Sequence, residues 1–306
     1  MVSVIVISYN SSAYILETLE SIRTQTYRNI ELIICDDCSK DNTTDIAKSW
    51  LNKNAARFVS SQLLVARSNG GIPANCNRGY NVASGDYVKL IAADDVLLDH
   101  CLTDSIKMMV YTGAEFLYAH VEVINSKSET VLMRKSKFHE FFYKLSLEKR
   151  LEVYCRNTMF LNTPTWVLKK ELIDRLGGFD ESYFLLEDTV LLIKCLQAKA
   201  NIVFLDKEMV RYRVHEESST HAKRISPIYG EIKRAREEKR LPLLNLYNPK
   251  NLLYLIDDYM YWSLAVSNRS RILSLIRLLN PAVYFKRIIY MAPNKGLWLS
   301  FKRMLA

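Results

Sequence analysis

The chain has 306 residues, 49% hydrophobic and 25% charged, enough to bury the core of one large domain, or of one domain with an appendage. Its net charge of +9 is local. After Asp258 no acidic residue occurs, while Arg269, Arg271, Arg277, Lys286, Arg287, Lys295, Lys302 and Arg303 add eight positive charges. The remainder is close to neutral, which argues against a global nucleic-acid footprint.

In chain order, Val2–Ile7 is a short apolar run of the kind buried on both faces of a parallel sheet. Ser11 or Ser12 is placed to cap a helix carrying Ile15, Leu16, Leu19 and Ile22 at helical spacing. A second run, Ile30–Cys35, leads into Asp36-Asp37, and Ser39–Asn42 precedes a helix near 43–51. Arg57–Ala66 reads as a third strand, followed by the turn Asn69-Gly70-Gly71 and a helix to Ala83. Ser84-Gly85-Asp86 stops that helix, and Tyr87–Ile91 runs into Asp94-Asp95. This alternation is the βαβ rhythm of a Rossmann-like half. Beyond it, a helix is expected over 97–111, a strand over 116–125, a helix near 139–154, a short strand at 165–168 and a helix over 169–175. Gly177-Gly178 stops the last of these. Glu187-Asp188 stands at the start of a helix over 189–198, where amide groups and the helix dipole stabilise carboxylates. Strands at 202–205 and 209–214 close the series. Helices follow from about 221, with 231–240 read as a solvated, charge-dense stretch.

Acidic pairs delivered by different strands converge at the carboxyl edge of an open α/β sheet, where ligands bind. Such a cluster repels itself unless a cation or ligand donors neutralise it, so a divalent metal with a nucleotide diphosphate is expected there. The six cysteines lack paired zinc spacing and read as buried free thiols of a reducing compartment. With no run of 18 apolar residues and no basic stretch before the first strand, neither a spanning helix nor a cleaved signal is expected.

The signatures Val4-Ile5-Val6-Ile7-Ser8-Tyr9-Asn10, Cys35-Asp36-Asp37-Cys38-Ser39, Ala83-Ser84-Gly85-Asp86, Ala93-Asp94-Asp95, Gly177-Gly178-Phe179-Asp180, Glu187-Asp188 and Tyr212-Arg213-Val214-His215 occur in a fixed order. In that order the chain, over roughly 2–220, resembles family 2 glycosyltransferases, inverting nucleotide-sugar enzymes of the GT-A fold. The resemblance implies an α/β, Rossmann-like mixed sheet flanked by helices. Residues 1–220 would form the catalytic domain (1–95 nucleotide-binding, 96–220 acceptor-binding) and 221–306 a basic helical extension. It also implies that Ser8, Tyr9, Asp37 and Asp94 bind the nucleotide and that Asp95, with His215, holds Mn²⁺ or Mg²⁺. Asp188 would be the catalytic base and Glu187 its acceptor-side support. A phosphate contact from Arg78 is not expected, because the family places its arginine before Asn77, where Cys76 stands here.

The expected activity is non-processive transfer from a nucleotide-sugar, UDP-sugars favoured, to a lipid-linked saccharide in surface polysaccharide synthesis. The setting would be cytoplasmic and peripheral, with 269–306 on an anionic membrane and no nucleic-acid partner. Two alternatives stand beside it. A nucleotidyltransferase would need a glycine-rich loop after the first strand, where Ser8-Tyr9-Asn10-Ser11-Ser12 has none. A non-catalytic membrane- or RNA-binding scaffold would be favoured by loss of Asp95 or Asp188, and both are present.

Overall fold

A computed structural model describes residues 1–134, 137–156, 161–215, 228–249 and 251–257. The elements are β1 (Val2–Ser8), α1 (Ile15–Arg23), β2 (Ile30–Asp36), α2 (Thr43–Asn54), β3 (Ser60–Val65), α3 (Ile72–Tyr80), β4 (Tyr87–Ala92), β5 (Val96–Leu97) and α4 (Cys101–Thr112). They continue with β6 (Phe116–Ile124), β7 (Thr130–Arg134), α5 (Lys137–Lys144), α6 (Leu147–Arg156), β8 (Val167–Lys169), α7 (Lys170–Leu176), α8 (Asp188–Gln197), β9 (Ile202–Arg213) and α9 (Ile228–Ala235). Among the described residues the strands form one mixed sheet in the order β3-β2-β1-β4-β8-β6-β9-β5, with β7 paired to β6.

The first half is parallel, β3-β2-β1-β4, and β8 enters antiparallel between β4 and β6. Val2, Val4, Ile5 and Val6 of β1 and Leu32, Ile33 and Ile34 of β2 are fully buried, as continuous apolar runs covered on both faces require. In α1, Ile15, Leu19 and Ile22 form the buried stripe.

The chain separates into two compact units, Met1–Arg134 with Phe160–Ala235, and Lys135–Met159 with Arg236–Ala306. Residues 135–159, expected in the acceptor-side half, thus group with the C-terminal segment.

Several local expectations are corrected. Neither Ser11 nor Ser12 caps α1 by its side chain; the Ser11 carbonyl accepts the Tyr14 and Ile15 amides instead. Strand β9 runs unbroken from 202 to 213 and absorbs its irregularity as a register shift against β6 near His120. The helix expected from 97 begins only at Cys101, because Val96 and Leu97 pair with β9. The helix expected near 139–154 is two, α5 and α6. The 231–240 stretch is not solvated throughout: Arg240 is buried, donating to the Cys155 carbonyl from Nε at 3.2 Å and Nη2 at 2.9 Å. The expectations for 269–306 fall outside the described residues.

The amino-terminal edge of the parallel strands is a closed polar knot. Glu31 accepts from Ser3 Oγ at 2.5 Å, Ser60 Oγ at 3.2 Å, the Ser84 amide at 2.8 Å and Ser84 Oγ at 2.9 Å. Desolvation pushes the Glu31 carboxyl up, but these donors outweigh it and hold it below the usual carboxylate range. The Ser84-Gly85 signature is thereby structural: the Gly85 amide donates to Ser3 Oγ at 2.8 Å, and a Cβ on Gly85 would stand 2.7 Å from the Ser3 backbone nitrogen. Backbone cannot yield as a flexible side chain can. Gly85→Ala is expected to cost about 1–3 kcal/mol, measured as a lower urea midpoint at unchanged slope.

Candidate active site

Strand register brings the loops after β1, β2 and β4 to one edge, since Ser8 aligns with Asp36 and Ile7 with Ala92. The first two loops are tied together. The Asn10 amide donates to Ser39 Oγ at 2.8 Å, and the Lys40 amide returns a bond to Asn10 Oδ1 at 2.8 Å. Asp36 serves this framework; fully buried, it accepts from Ser8 Oγ at 3.0 Å and the Ser39 amide at 2.8 Å. Tyr9 is exposed at this edge.

Asp37 faces the turn before α3. It accepts the Gly70 amide at 3.1 Å and the Gly71 amide at 2.8 Å, with Arg78 Nη2 3.3 Å away. Gly71 has φ of +87°, and a Cβ there would meet the Phe184 carbonyl at 2.4 Å, so this turn needs glycine. The Ile72 amide then donates to that carbonyl at 2.8 Å, linking the Asp37 turn to the loop before Glu187. Arg78, not expected to reach phosphate, is the cation beside Asp37.

The second acidic pair splits. Asp95 is 1% exposed, and its Oδ1 accepts the Arg213 amide at 2.9 Å. Burial, and then the charge of Asp94, push the Asp95 carboxyl well up against the pull of Arg213 and Lys89. The Asp94 side chain is 27% exposed and faces His215, Oδ2 to Nε2, at 3.0 Å. Neither carboxylate caps the following helix, which starts at Cys101.

Arg213, absent from the expected set, organises this corner. Its buried guanidinium donates to the Asp94 carbonyl at 2.7 Å, the Asn125 carbonyl at 3.1 Å, Ser128 Oγ at 2.9 Å and Glu17 at 2.5 Å. It also lies 4.8 Å over the Tyr14 ring, which in turn contacts the His215 ring at 4.9 Å.

Glu187 and Asp188 open α8. Asp188 accepts from Thr163 Oγ1 at 2.7 Å and from the Thr189 amide. Thr163 lies on a short 3₁₀ turn, Thr163–Thr165, anchored by Lys89, which donates to the Pro164 and Trp166 carbonyls. Lys89 is fully buried; desolvation lowers its ammonium to about 8 despite the opposing charges of Cys101 and Asp95. The same lysine thus feels the charge of Asp95 and anchors the turn whose Thr163 holds Asp188. Cys76 of α3 feels Asp37 and the Glu187-Asp188 pair together: burial, then chiefly Glu187, push its thiol well up. Among the six free cysteines only Cys38 is partly exposed.

Glu187 is pushed up to about 8 by desolvation, then by the charge of Asp188, with Glu231 adding to it. Glu231 of α9 accepts the Phe184 amide at 2.6 Å and the Leu185 amide at 2.8 Å, fixing the loop ahead of Glu187. Sequence reasoning missed Arg213, Lys89, Thr163 and Glu231. For Lys89 the signal was available, a cation inside an otherwise apolar strand.

Two outcomes follow for stability. Removing the Arg213 guanidinium strips a buried cation from its acceptors, so Arg213→Ala should lose about 3–5 kcal/mol in urea unfolding. Glu187 keeps its proton in the fold up to about 8, whereas the ordinary value is 4.5. The folded state therefore binds a proton that the unfolded chain releases, and stability falls as pH rises from about 4.5 to about 8. Glu187→Gln should flatten that decline and raise the melting temperature most above pH 8.

The sequence profile of Glycosyl transferase family 2 matches residues 3–177. An uncharacterized glycosyltransferase of Rickettsia typhi is 27% identical over 224 residues, 72% of this chain and 66% of that protein. The chain thus spans just under two thirds of that relative's length. A UDP-Glc:alpha-D-GlcNAc-diphosphoundecaprenol beta-1,3-glucosyltransferase of Escherichia coli, WfgD, is 32% identical over 130 residues, 42% of this chain and 48% of its own. The crystal structure of S. aureus TarS 1–349 with UDP-GlcNAc superposes with a TM-score of 0.59 at 20% identity, over 85% of this chain and 81% of TarS. The mixed sheet is therefore a GT-A fold. With the profile match extending over more than half of its residues, the chain belongs to glycosyl transferase family 2.

Proposed function

We propose that the chain is an inverting, metal-dependent, non-processive glycosyltransferase. It moves a sugar from a nucleotide diphosphate donor, UDP-sugars favoured, to a hydroxyl of a lipid-linked saccharide in surface polysaccharide synthesis. The observation that carries this reading is the Asp94 carboxylate facing the His215 imidazole at 3.0 Å on the carboxyl edge of the sheet. The E. coli relative's printed donor and acceptor, and the UDP-GlcNAc held by TarS, support the substrate classes.

Donor-set chemistry fits a hard divalent cation that arrives with its substrate. One carboxylate and one imidazole leave positions for diphosphate oxygens and water, and no cluster of three or more ligating side chains exists among the described residues. In this reading Asp94 and His215 hold Mn²⁺ or Mg²⁺. Asp95, buried on the Arg213 amide, positions Asp94 and exchanges the role expected of it. A bound cation supplies charge neutralisation on the leaving diphosphate. Ser8 and Tyr9 border the nucleotide, and Asp37 shapes the turn beside it.

Asp188 is the base. Thr163 and the Thr189 amide aim its carboxylate, which takes the proton of the attacking hydroxyl while attack from the face opposite the diphosphate inverts the anomeric carbon. Glu187 keeps its own proton up to about pH 8 and so does not compete for that role at neutral pH. The stretch 269–306, free of acidic residues and with aromatics between its lysines and arginines, makes a peripheral attachment to an anionic membrane part of the proposal.

Calorimetry of UDP with and without Mn²⁺, paired with a transfer assay, tests the assignment. Asp94→Ala and His215→Ala should lose Mn²⁺-dependent UDP binding. Asp188→Asn should bind UDP normally and lose roughly 10²–10⁴-fold in transfer. Near-wild-type transfer by folded Asp188→Asn would remove the base, and Mn²⁺-dependent binding retained in Asp94→Ala would remove the metal site.

A further inference from the structure

The loop ahead of Glu187 carries an aromatic ring that packing alone does not account for. Tyr183 and Leu186 turn inward and form a small buried cluster with Val190 of α8 and Ala235 of α9. Phe184, between them, is 47% exposed. It is nevertheless fixed at both ends of its backbone, since its amide donates to Glu231 and its carbonyl accepts the Ile72 amide. Arg234, one helical turn after Glu231 on α9, donates to the Ser182 carbonyl and lies 4.1 Å over the Tyr183 ring. The Phe184 ring itself rests on backbone: a Cβ on Gly71 would stand 2.7 Å from its Cδ2 and 2.9 Å from its Cγ. The Gly71 amide in turn donates to Asp37. An ordered apolar ring is thus presented to solvent at the Asp37 turn.

Strand order says what reaches it. From Asp94 after β4, the carboxyl edge passes Ser8 and Tyr9 after β1 and comes to Asp37 after β2. Two strand spacings are about 10 Å, a span that a nucleoside diphosphate covers from its phosphates to its base. In the other direction β8 begins just after the Thr163 turn, which holds Asp188, the station of the reacting sugar in the proposed reading. With the diphosphate at the Asp94–His215 corner, the base therefore falls at the Asp37 end. Asp37 is buried behind its turn, its carboxylate on the Gly70 and Gly71 amides. What this end offers an incoming base is aromatic: Phe184, with Tyr9 exposed after the neighbouring strand. Every base has a π face, so stacking on such a ring does not depend on which base arrives.

We propose that the Phe184 ring stacks on the base of the nucleoside diphosphate donor, and that Glu231 and Arg234 of α9 are positioning residues that hold it there. This role rests on the reading of the chain as a nucleotide-sugar transferase and adds to it a wall for the nucleoside. Phe184 and α9 both lie beyond residues 3–177, which the family profile matches.

Calorimetry in Mn²⁺ tests it, with the tightest binder among UDP, GDP and dTDP set against ribose 5-diphosphate, which keeps the ribose and phosphates and lacks the base. The wild-type chain is expected to hold the nucleotide about tenfold or more tightly than the base-less probe. Phe184→Leu keeps apolar bulk on Gly71 without a π face. It should lose about tenfold in nucleotide affinity and leave ribose 5-diphosphate unchanged, whereas Phe184→Tyr should match the wild type for both. Glu231→Ala should show the same base-selective loss, and Glu231→Gln, still an acceptor, should recover part of it. A loop that is merely loosened would weaken both probes alike, which would remove the stacking and positioning roles together. An unchanged melting temperature confirms folding of each variant. Equal affinity of the wild type for nucleotide and base-less probe overturns the proposal without any variant. Wild-type nucleotide affinity in folded Phe184→Leu overturns it and leaves the donor reading intact. A wild-type chain that binds none of the three nucleotides overturns the donor reading itself, and the stacking with it.

Discussion

The geometry of the acidic edge depends on one buried cation at the end of β9. Arg213 satisfies its guanidinium on the Asp94 and Asn125 carbonyls, Ser128 and Glu17, while its amide holds the Asp95 carboxylate. Those acceptors come from α1, the turn after β4 and the β6–β7 hairpin, three parts of the chain that no local sequence rule joins. An isolated guanidinium in such a place would be strongly unfavourable, so the cation persists only because every direction around it ends in an acceptor or a ring. Its effect on the edge is directional. With Asp95 drawn inward, Asp94 is left facing His215, and the Tyr14 ring between Arg213 and His215 braces the imidazole from the side.

Lys89 does for the proposed base, Asp188, what Arg213 does for the corner of Asp94 and His215. Its ammonium interacts with the charge of Asp95 and fixes the carbonyls of the turn that carries Thr163. Thr163 in turn holds Asp188. In the proposed mechanism, the two chemical tasks of sugar transfer, relieving charge on the leaving diphosphate and accepting a proton from the acceptor, fall to carboxylates on separate supports. Glu187 completes the division. Next to Asp188 in sequence, it is desolvated enough to stay protonated at neutral pH, which leaves it out of the proposed proton transfer.

Much of this was readable from residues alone. Strands β1 and β2 are apolar runs that end in Ser8 and Asp36, β4 leads through Ala92-Ala93 into Asp94-Asp95, and their parallel pairing follows from the βαβ rhythm. The placement of Asp188 at a helix start was equally legible. What was not legible is which member of each pair turns inward. Asp36 and Asp37 differ because one meets Ser8 and Ser39 and the other meets Gly70 and Gly71. Asp94 and Asp95 differ because an amide 118 residues away claims the second. Neighbouring carboxylates look alike in sequence and are separated only by long-range partners. Arg240 shows the same limit in reverse: its charge suggested solvent, and a backbone carbonyl from α6 buried it.

The separation of charge between the units also constrains how an anionic donor is drawn in. The unit that carries the acidic edge has slightly more carboxylates than cations, so its overall field does not attract a diphosphate. In the proposed reading the attraction is short-ranged, from a cation that Asp94 and His215 would hold, while Arg78 is already engaged by Asp37. Such an attraction is screened far less by salt than a diffuse surface field, because it acts at contact distance in a partly buried corner.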